Sequence, residues 1–112
     1  MSIKVLLVED EFNIRNNLTE LLEMTGHVVT AAINGLEALE KIKLNKPDII
    51  ISDLFMTEMD GKIFYSRLLE EPEFRKIPFL FLTAKVEIQD VCDELSVDKS
   101  FFISSDPSGF AE

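Results

Sequence analysis

The apolar residues of this chain follow two periodicities that alternate from the N-terminus onwards. Short runs of aliphatic and β-branched residues without polar alternation, such as Lys4 to Val8, are typical of strands that are covered on both faces. The segments between these runs carry apolar residues at helical spacing. In the first segment, which ends at Gly26, these residues are Ile14, Leu18, Leu21 and Leu22. The pattern predicts strands and helices in alternation.

Five strands and four helices are predicted in this way. The strands are Lys4 to Val8, His27 to Ala31, Ile49 to Ser52, Phe79 to Leu82 and Phe101 to Ile103. Of the helices that join them, the second follows a turn at Asn34-Gly35, the third follows Gly61 and the fourth carries Cys92. Strands joined by helices form a parallel sheet with right-handed crossovers. We therefore predict an α/β fold of the doubly wound, flavodoxin-like type, with strand order 2-1-3-4-5 and a switch point between strands 1 and 3.

Acidic residues lie where two of the predicted strands end. Glu9, Asp10 and Glu11 follow strand 1, and Asp53 follows strand 3. Parallel strands present ligands beyond their carboxyl ends, so Glu9, Asp10 and Asp53 are expected to converge at the switch point. Crowded carboxylates repel one another unless a hard cation neutralises them, and Mg²⁺ suits a pocket of oxygen ligands. Glu11 is interpreted as a charge at the start of the first helix.

A carboxylate beside such a metal can act as a nucleophile towards phosphorus and form an acyl phosphate. Asp53 is best placed for this role, because it stands alone at the end of a central strand. Thr83 ends strand 4, next to strand 3, and is positioned to donate its hydroxyl to a phosphoryl oxygen. The acids and the threonine together indicate phosphoryl acceptance assisted by Mg²⁺.

The overall composition narrows the classes of function. A chain of 112 residues is sized for a single domain, predicted over residues 1–112. The net charge of -10 disfavours direct binding of nucleic acid or of an anionic membrane by this domain. The apolar runs are too short to span a bilayer, and no signal peptide is visible. The single cysteine, Cys92, fits a reducing compartment, so a cytoplasmic location is expected.

Several motifs occur in order over nearly the whole chain. They are Val5 to Glu11, Asn34-Gly35 with Ala38-Leu39, Pro47-Asp48 into Ile51 to Asp53, Met59 to Gly61, and Pro78 to Lys85. In these motifs the sequence resembles the receiver domain of two-component response regulators.

The resemblance implies a role for each candidate residue. Asp53 corresponds to the phospho-acceptor, Thr83 to the switch hydroxyl and Phe102 to a rotameric aromatic switch. The implied Mg²⁺ ligands are Glu9, Asp10, Asp53 and the backbone carbonyl of Phe55. The implied phosphoryl donor is a histidine kinase or a phosphotransfer protein.

Two features depart from the family pattern. The family has Lys followed by Pro after strand 5, where this chain has Ser105-Asp106, and a serine hydroxyl does not replace the charge-assisted contact of the lysine. A register that puts Lys99 in this place would leave Phe101 to Ile103 without a role as a strand. The last helix is truncated or absent, since Asp106 to Glu112 are too few residues to cover a sheet face. We expect either the N-terminal part of a longer regulator or a domain covered by another segment or chain, and an uncovered face would favour a homodimer.

Three classes of function are compared. The first is a phospho-accepting signalling receiver that switches the surface of helix 4 and strand 5. The second is a pseudo-receiver, an interaction or dimerisation module that is not regulated by phosphorylation; Ser105 favours it and the intact acids oppose it. The third, an enzyme, is disfavoured, because phosphohydrolases with an aspartate nucleophile need a second acid where this chain has Phe55. At most the chain is expected to assist its own phosphorylation and dephosphorylation.

Overall fold

The computed structural model describes residues 2–54, 56, 59–83 and 102–104, with Thr83 and residues 102–104 described by their backbone. Strands and helices alternate up to the fourth strand. In chain order the elements are β1 (Lys4–Val8), α1 (Phe12–Met24), β2 (Val28–Ala32), α2 (Gly35–Leu44), β3 (Ile49–Asp53), α3 (Gly61–Leu69), β4 (Phe79–Thr83) and β5 (Phe102–Ser104).

The strands form one sheet in the order β2-β1-β3-β4-β5, and all of its pairings are parallel. This order confirms the predicted flavodoxin-like fold. β2 begins and ends one residue later than predicted, and β3, β4 and β5 each extend one residue beyond the predicted end, to Asp53, Thr83 and Ser104. Phe101, the predicted first residue of β5, lies outside the described residues. β5 is described over Phe102–Ser104, and both Ser105 and Lys99 lie outside the described residues, so the choice between the two registers stays a prediction. The helix predicted around Cys92 and the segment after Ser104 lie outside the described residues.

Apolar side chains pack on both faces of the sheet, as the continuous apolar strands predict. On one face, α2 and α3 cover Leu6, Val8, Ile50 and Phe81 with the buried side chains of Ala38, Ile42, Phe64 and Leu68. On the other face, α1 covers Val5, Leu7 and Ile51 with the partly buried Ile14, Leu18 and Leu22. The sheet is therefore rigidly held at its centre, which is where β1 and β3 lie side by side.

The ends of the helices follow from local chemistry. Gly26 adopts a φ of 91°, in the left-handed region that ends many helices. The expected turn at Asn34-Gly35 is in fact the start of α2, because the Asn34 side chain accepts a hydrogen bond from the backbone N of Glu37 at 2.8 Å. Asp60 caps α3 in the same way, accepting from the backbone N of Ile63 at 3.0 Å. Polar residues before each helix thus fix where the chain leaves the carboxyl edge of the sheet.

The lone histidine, His27, has a structural contact: its Nδ1 accepts a hydrogen bond from the backbone N of Ile3 at 3.3 Å. This bond lies at the amino edge of the sheet, opposite the predicted acidic pocket. Within the part of the chain that the structure describes, no helix combines the length and apolar character needed to cross a membrane.

Candidate functional site

The register of the two central strands brings their acids together. Val8 of β1 pairs with Ser52 of β3, so the next residues, Glu9 and Asp53, leave the sheet at the same level on neighbouring strands. Asp10 follows directly. One carboxylate oxygen from each of Glu9, Asp10 and Asp53 lies within 4.8 Å of the others. The predicted convergence of these carboxylates is therefore what the structure shows.

The two consecutive acids differ strongly in environment, which the sequence did not reveal. Glu9 is only 2% exposed, whereas Asp10 is exposed to solvent. The backbone N of Glu9 donates to the carbonyl oxygen of Ala32 at 3.0 Å, which continues the pairing of β1 with β2 by one residue. The Glu9 Oε2 atom accepts from the backbone N of Glu11 at 2.9 Å. Glu9 is thus fixed at both its backbone and its carboxylate.

The electrostatics of the pocket favour a cation. The pKa of Glu9 is raised to about 8, chiefly by burial and also by the neighbouring carboxylates of Asp53 and Asp10, against the lowering effect of the Glu11 amide. A buried carboxylate beside two others carries a charge that only a proton or a cation can offset. The ligand atoms are all oxygens, and one acid is open to solvent, so the donor set fits Mg²⁺ with several retained waters.

Asp53 is half-buried and ends β3. Its backbone is enclosed: a β-carbon on Gly61 would overlap its carbonyl oxygen, and the Ser52 hydroxyl donates to that same oxygen at 3.0 Å. The Gly61 amide donates to the carbonyl oxygen of Leu54 at 2.8 Å. The start of α3 is therefore packed directly onto the end of β3, which leaves the Asp53 backbone little room to move.

The structure describes the other candidate residues only by their backbone or not at all. Leu82 of β4 pairs with Asp53, so Thr83 ends β4 at the same edge of the sheet. Phe102 begins β5 and pairs with Phe81 of β4. Both Thr83 and Phe102 are described by their backbone. Phe55, the predicted carbonyl ligand, and Ser105 lie outside the described residues.

Glu11 and Arg15 stabilise the segment that joins β1 to α1 and carries Glu9 and Asp10. The Glu11 carboxylate accepts from the backbone N of Ile14 at 2.7 Å and caps α1, which agrees with its interpretation as a helix-start charge. The Arg15 guanidinium donates to the carbonyl oxygen of Glu9 at 2.9 Å and to that of Asp10 at 3.4 Å. Sequence reasoning missed Arg15. A usable signal was present, since a basic residue near the start of a helix opposes the helix dipole.

Comparison with known proteins agrees with the fold. The family model of the response regulator receiver domain matches residues 5–106. Response regulator Rre1 from Synechocystis sp. is 37% identical over 84 residues, which cover 74% of this chain and 36% of Rre1. The chain thus spans about a third of the length of this curated relative.

Solved structures agree in both fold and sequence. The receiver domain of a signal transduction histidine kinase from Syntrophus aciditrophicus has a TM-score of 0.80 and 36% identity, with 91% of this chain and 77% of that chain covered. The N-terminal domain of a response regulator receiver protein from Methanoculleus marisnigri has a TM-score of 0.80 and 30% identity, with 91% and 80% covered. The chain belongs to the response regulator receiver domain family of two-component signalling.

Proposed function

We propose that this chain is a phospho-accepting receiver that takes a phosphoryl group from a phosphohistidine partner onto Asp53. The observation that carries the proposal is the meeting of the Glu9, Asp10 and Asp53 carboxylates within 4.8 Å at the ends of β1 and β3. Membership of the receiver family supports it, because receivers act with histidine kinases or phosphotransfer proteins.

In the proposed transfer, a carboxylate oxygen of Asp53 attacks the phosphorus of the donor. An oxygen–phosphorus bond forms and the phosphorus–nitrogen bond of the phosphohistidine breaks. The electron pair of the broken bond stays on the imidazole nitrogen, which is protonated from water, and Asp53 becomes an acyl phosphate. The enclosed backbone of Asp53 serves this step by holding the nucleophile at a fixed position.

The neighbouring acids serve the same step through a cation. Glu9 and Asp10, with Asp53, would hold Mg²⁺, and the resemblance adds the backbone carbonyl of Phe55 as a ligand. Bound Mg²⁺ would neutralise the negative charge on the phosphoryl oxygens as they approach three carboxylates. Asp10 is exposed, so the donor can reach the pocket from its side.

The proposed response to phosphorylation rests on the family pattern. Thr83 would donate its hydroxyl to the new phosphoryl group from the end of β4. The expected result is a change in the segment after β4, in Phe102 and in the surface formed by β5 and the helix predicted around Cys92. A partner protein would bind that surface in one of its two states.

A direct experiment is to incubate the protein with Mg²⁺ and phosphoramidate, a small donor with a phosphorus–nitrogen bond, and to measure the intact mass. We expect a mass increase of one phosphoryl group that hydroxylamine removes, as it does for an acyl phosphate. The Asp53→Asn variant should gain none, while Glu11→Gln, which changes a nearby acid outside the carboxylate cluster, should be labelled like the wild type. Labelling of Asp53→Asn, or no labelling of the wild type, would reject Asp53 as the acceptor.

A pseudo-receiver is the second candidate, and Ser105 is the observation that favours it. Without the family lysine, phosphorylation would be slow or weakly coupled to the switch. Titration with Mg²⁺ separates the two candidates, since a protein that binds no Mg²⁺ at millimolar concentration would work as a constitutive module. Phosphoramidate labelling of a Ser105→Lys variant tests the same point. If the missing lysine is the only defect of the receiver, this variant should be labelled faster than the wild type.

A further inference from the structure

Arg15 contacts the acidic pocket through the backbone of Glu9 and Asp10 and not through their carboxylates. It is the fourth residue of α1 and is half-buried. Its Nη1 atom donates to the carbonyl oxygen of Glu9 at 2.9 Å and to that of Asp10 at 3.4 Å. One guanidinium nitrogen therefore joins the peptide groups of the two acids that follow β1.

The position of Arg15 is electrostatically unfavourable for the helix itself. A cation in the first turn opposes the helix dipole, at a cost of about 0.3–1 kcal/mol. Arg15 also lies against the ring of Phe12, with its guanidinium carbon 5.6 Å from the ring centroid. Phe12 is 64% exposed, so this contact adds little burial of apolar surface. The helix and the core thus give no strong reason for an arginine here, whereas the carbonyl groups of Glu9 and Asp10 do.

Bonds to two successive carbonyl groups fix the orientation of the backbone between them. The direction of a side chain depends on the backbone that carries it. The hydrogen bonds from Arg15 therefore also influence the directions of the Glu9 and Asp10 carboxylates. Glu9 is further held through its amide and its carboxylate. Asp10 is exposed, so its aim depends more heavily on the backbone of this loop.

We propose that Arg15 is a positioning residue for the cation site: its guanidinium group, through Nη1, sets the loop after β1 so that the Glu9 and Asp10 carboxylates point together towards Asp53. This inference rests on the proposed binding of Mg²⁺ by these three acids. Groups that orient metal ligands in this way typically change metal affinity 10- to 100-fold when they are removed.

The test compares Arg15→Gln with a matched loss of positive charge at Arg67→Gln. Arg67 is exposed and lies about 9 Å along α3 from the end that contacts Asp53, by helix geometry. Calorimetric titration with Mg²⁺ should give a dissociation constant about tenfold higher for Arg15→Gln than for the wild type. Arg67→Gln should change it less than about twofold, because salt screens a distant surface charge. Urea unfolding of each variant establishes that the titrated protein is folded.

An Arg15→Lys variant separates position from charge. Lysine keeps the charge, but its ammonium group stands on a flexible stem and is not held in one plane as Nη1 of the guanidinium is. We therefore expect a Mg²⁺ affinity between those of the wild type and Arg15→Gln. Wild-type affinity in Arg15→Lys would overturn the proposal and leave charge alone as the cause. Lysine is also the milder change, so it decides the question if Arg15→Gln does not fold.

Phosphoramidate labelling provides a second readout. If Arg15 acts through the cation site, the labelling rate of Arg15→Gln should recover towards that of the wild type at saturating Mg²⁺. A rate that stays low at saturating Mg²⁺, or equal Mg²⁺ affinities of Arg15→Gln and Arg67→Gln, would contradict the inference. Failure of the wild type itself to bind Mg²⁺ would instead reject the proposed function.

Discussion

The first residue of α3, Gly61, lies against the carbonyl oxygen of Asp53, with no room for a β-carbon between them. The neighbouring atoms are backbone atoms of Asp53 and Leu54, which cannot move aside as the end of a flexible side chain can. The Gly61 amide also donates to the carbonyl oxygen of Leu54. The position of the proposed phospho-acceptor is therefore set by a backbone contact as well as by its strand.

Replacing Gly61 by alanine is expected to displace the end of β3. Overpacking of this kind costs about 1–3 kcal/mol in the free energy of unfolding. Phosphoryl labelling of Asp53 should fall as well, since the nucleophile moves with its backbone. Urea unfolding and phosphoramidate labelling measure the two effects.

Gly35→Ala is the matched control for this prediction. A β-carbon on Gly35 would meet the Cγ, Sδ and Cβ atoms of Met59 at 2.8 to 3.0 Å, so it overlaps a side chain and not the backbone of Asp53. We expect a loss of stability of about 1–3 kcal/mol as well, but near-normal labelling, because the Asp53 backbone is not displaced. Equal losses of labelling in Gly61→Ala and Gly35→Ala would contradict a specific role of the Gly61 contact.

The stability of the metal-free protein is expected to depend on pH through Glu9. Burial raises the pKa of Glu9 from 4.5 to about 8. Between these values the folded protein binds more protons than the unfolded chain, so this group lowers the free energy of unfolding as the pH rises. The slope for one group is at most about 1.4 kcal/mol per pH unit. Added Mg²⁺ should reduce the loss, because it binds the charged form of the pocket in the folded protein.

Comparison with Glu9→Gln isolates this effect. Glutamine keeps an oxygen that can accept from the Glu11 amide but does not titrate. The variant should gain stability relative to the wild type between pH 5 and pH 8 when Mg²⁺ is absent, as measured by urea unfolding at several pH values. A wild-type-to-variant difference that does not change with pH would show that Glu9 titrates normally.

Asp10 and Glu11 offer a test of the metal site with adjacent, exposed acids. Asp10→Asn removes a carboxylate of the cluster, so Mg²⁺ should raise its unfolding temperature less than that of the wild type. Glu11→Gln loses the same charge but keeps an acceptor for the Ile14 amide. It should respond to Mg²⁺ as the wild type does. An identical response of both variants would point to a general effect of charge.

Asp53→Asn should stabilise the metal-free protein at pH 8, because it removes one of the charges that repel the Glu9 carboxylate. Asp60→Asn is the control, since asparagine remains a good cap for α3 and Asp60 lies outside the carboxylate cluster. Urea unfolding without Mg²⁺ measures both variants. Greater stabilisation by Asp60→Asn than by Asp53→Asn would contradict repulsion within the cluster.

The sheet and the meeting of the acids could be predicted from the sequence because both follow from periodicity and strand direction. Uninterrupted apolar runs such as Ile49 to Ile51 indicate buried parallel strands, and acids at the ends of neighbouring strands must lie near one another. The switch-point rule needs no knowledge of side-chain packing. The rule was sufficient to predict that the carboxylates of Glu9, Asp10 and Asp53 lie close together.

Other features depend on how elements that are distant along the chain pack together. Glu9 is buried where it still pairs with Ala32 of β2, whereas Asp10, the next residue, is exposed. The Arg15 contact depends on how α1 turns back over the loop that precedes it. The need for glycine at position 61 comes from the approach of α3 to β3, which is visible only once both elements are placed.

The bond between the Glu9 amide and Ala32 makes Glu9 the final rung of the pairing of β1 with β2. Both faces of the sheet are covered, so the acid that still pairs within the sheet is buried and the acid that follows it is exposed. Deleting one residue of β1 would move Asp10 into the buried place of Glu9, and inserting one would move Glu9 into the exposed place of Asp10. The length of β1 therefore matters to the site independently of which apolar residues the strand contains.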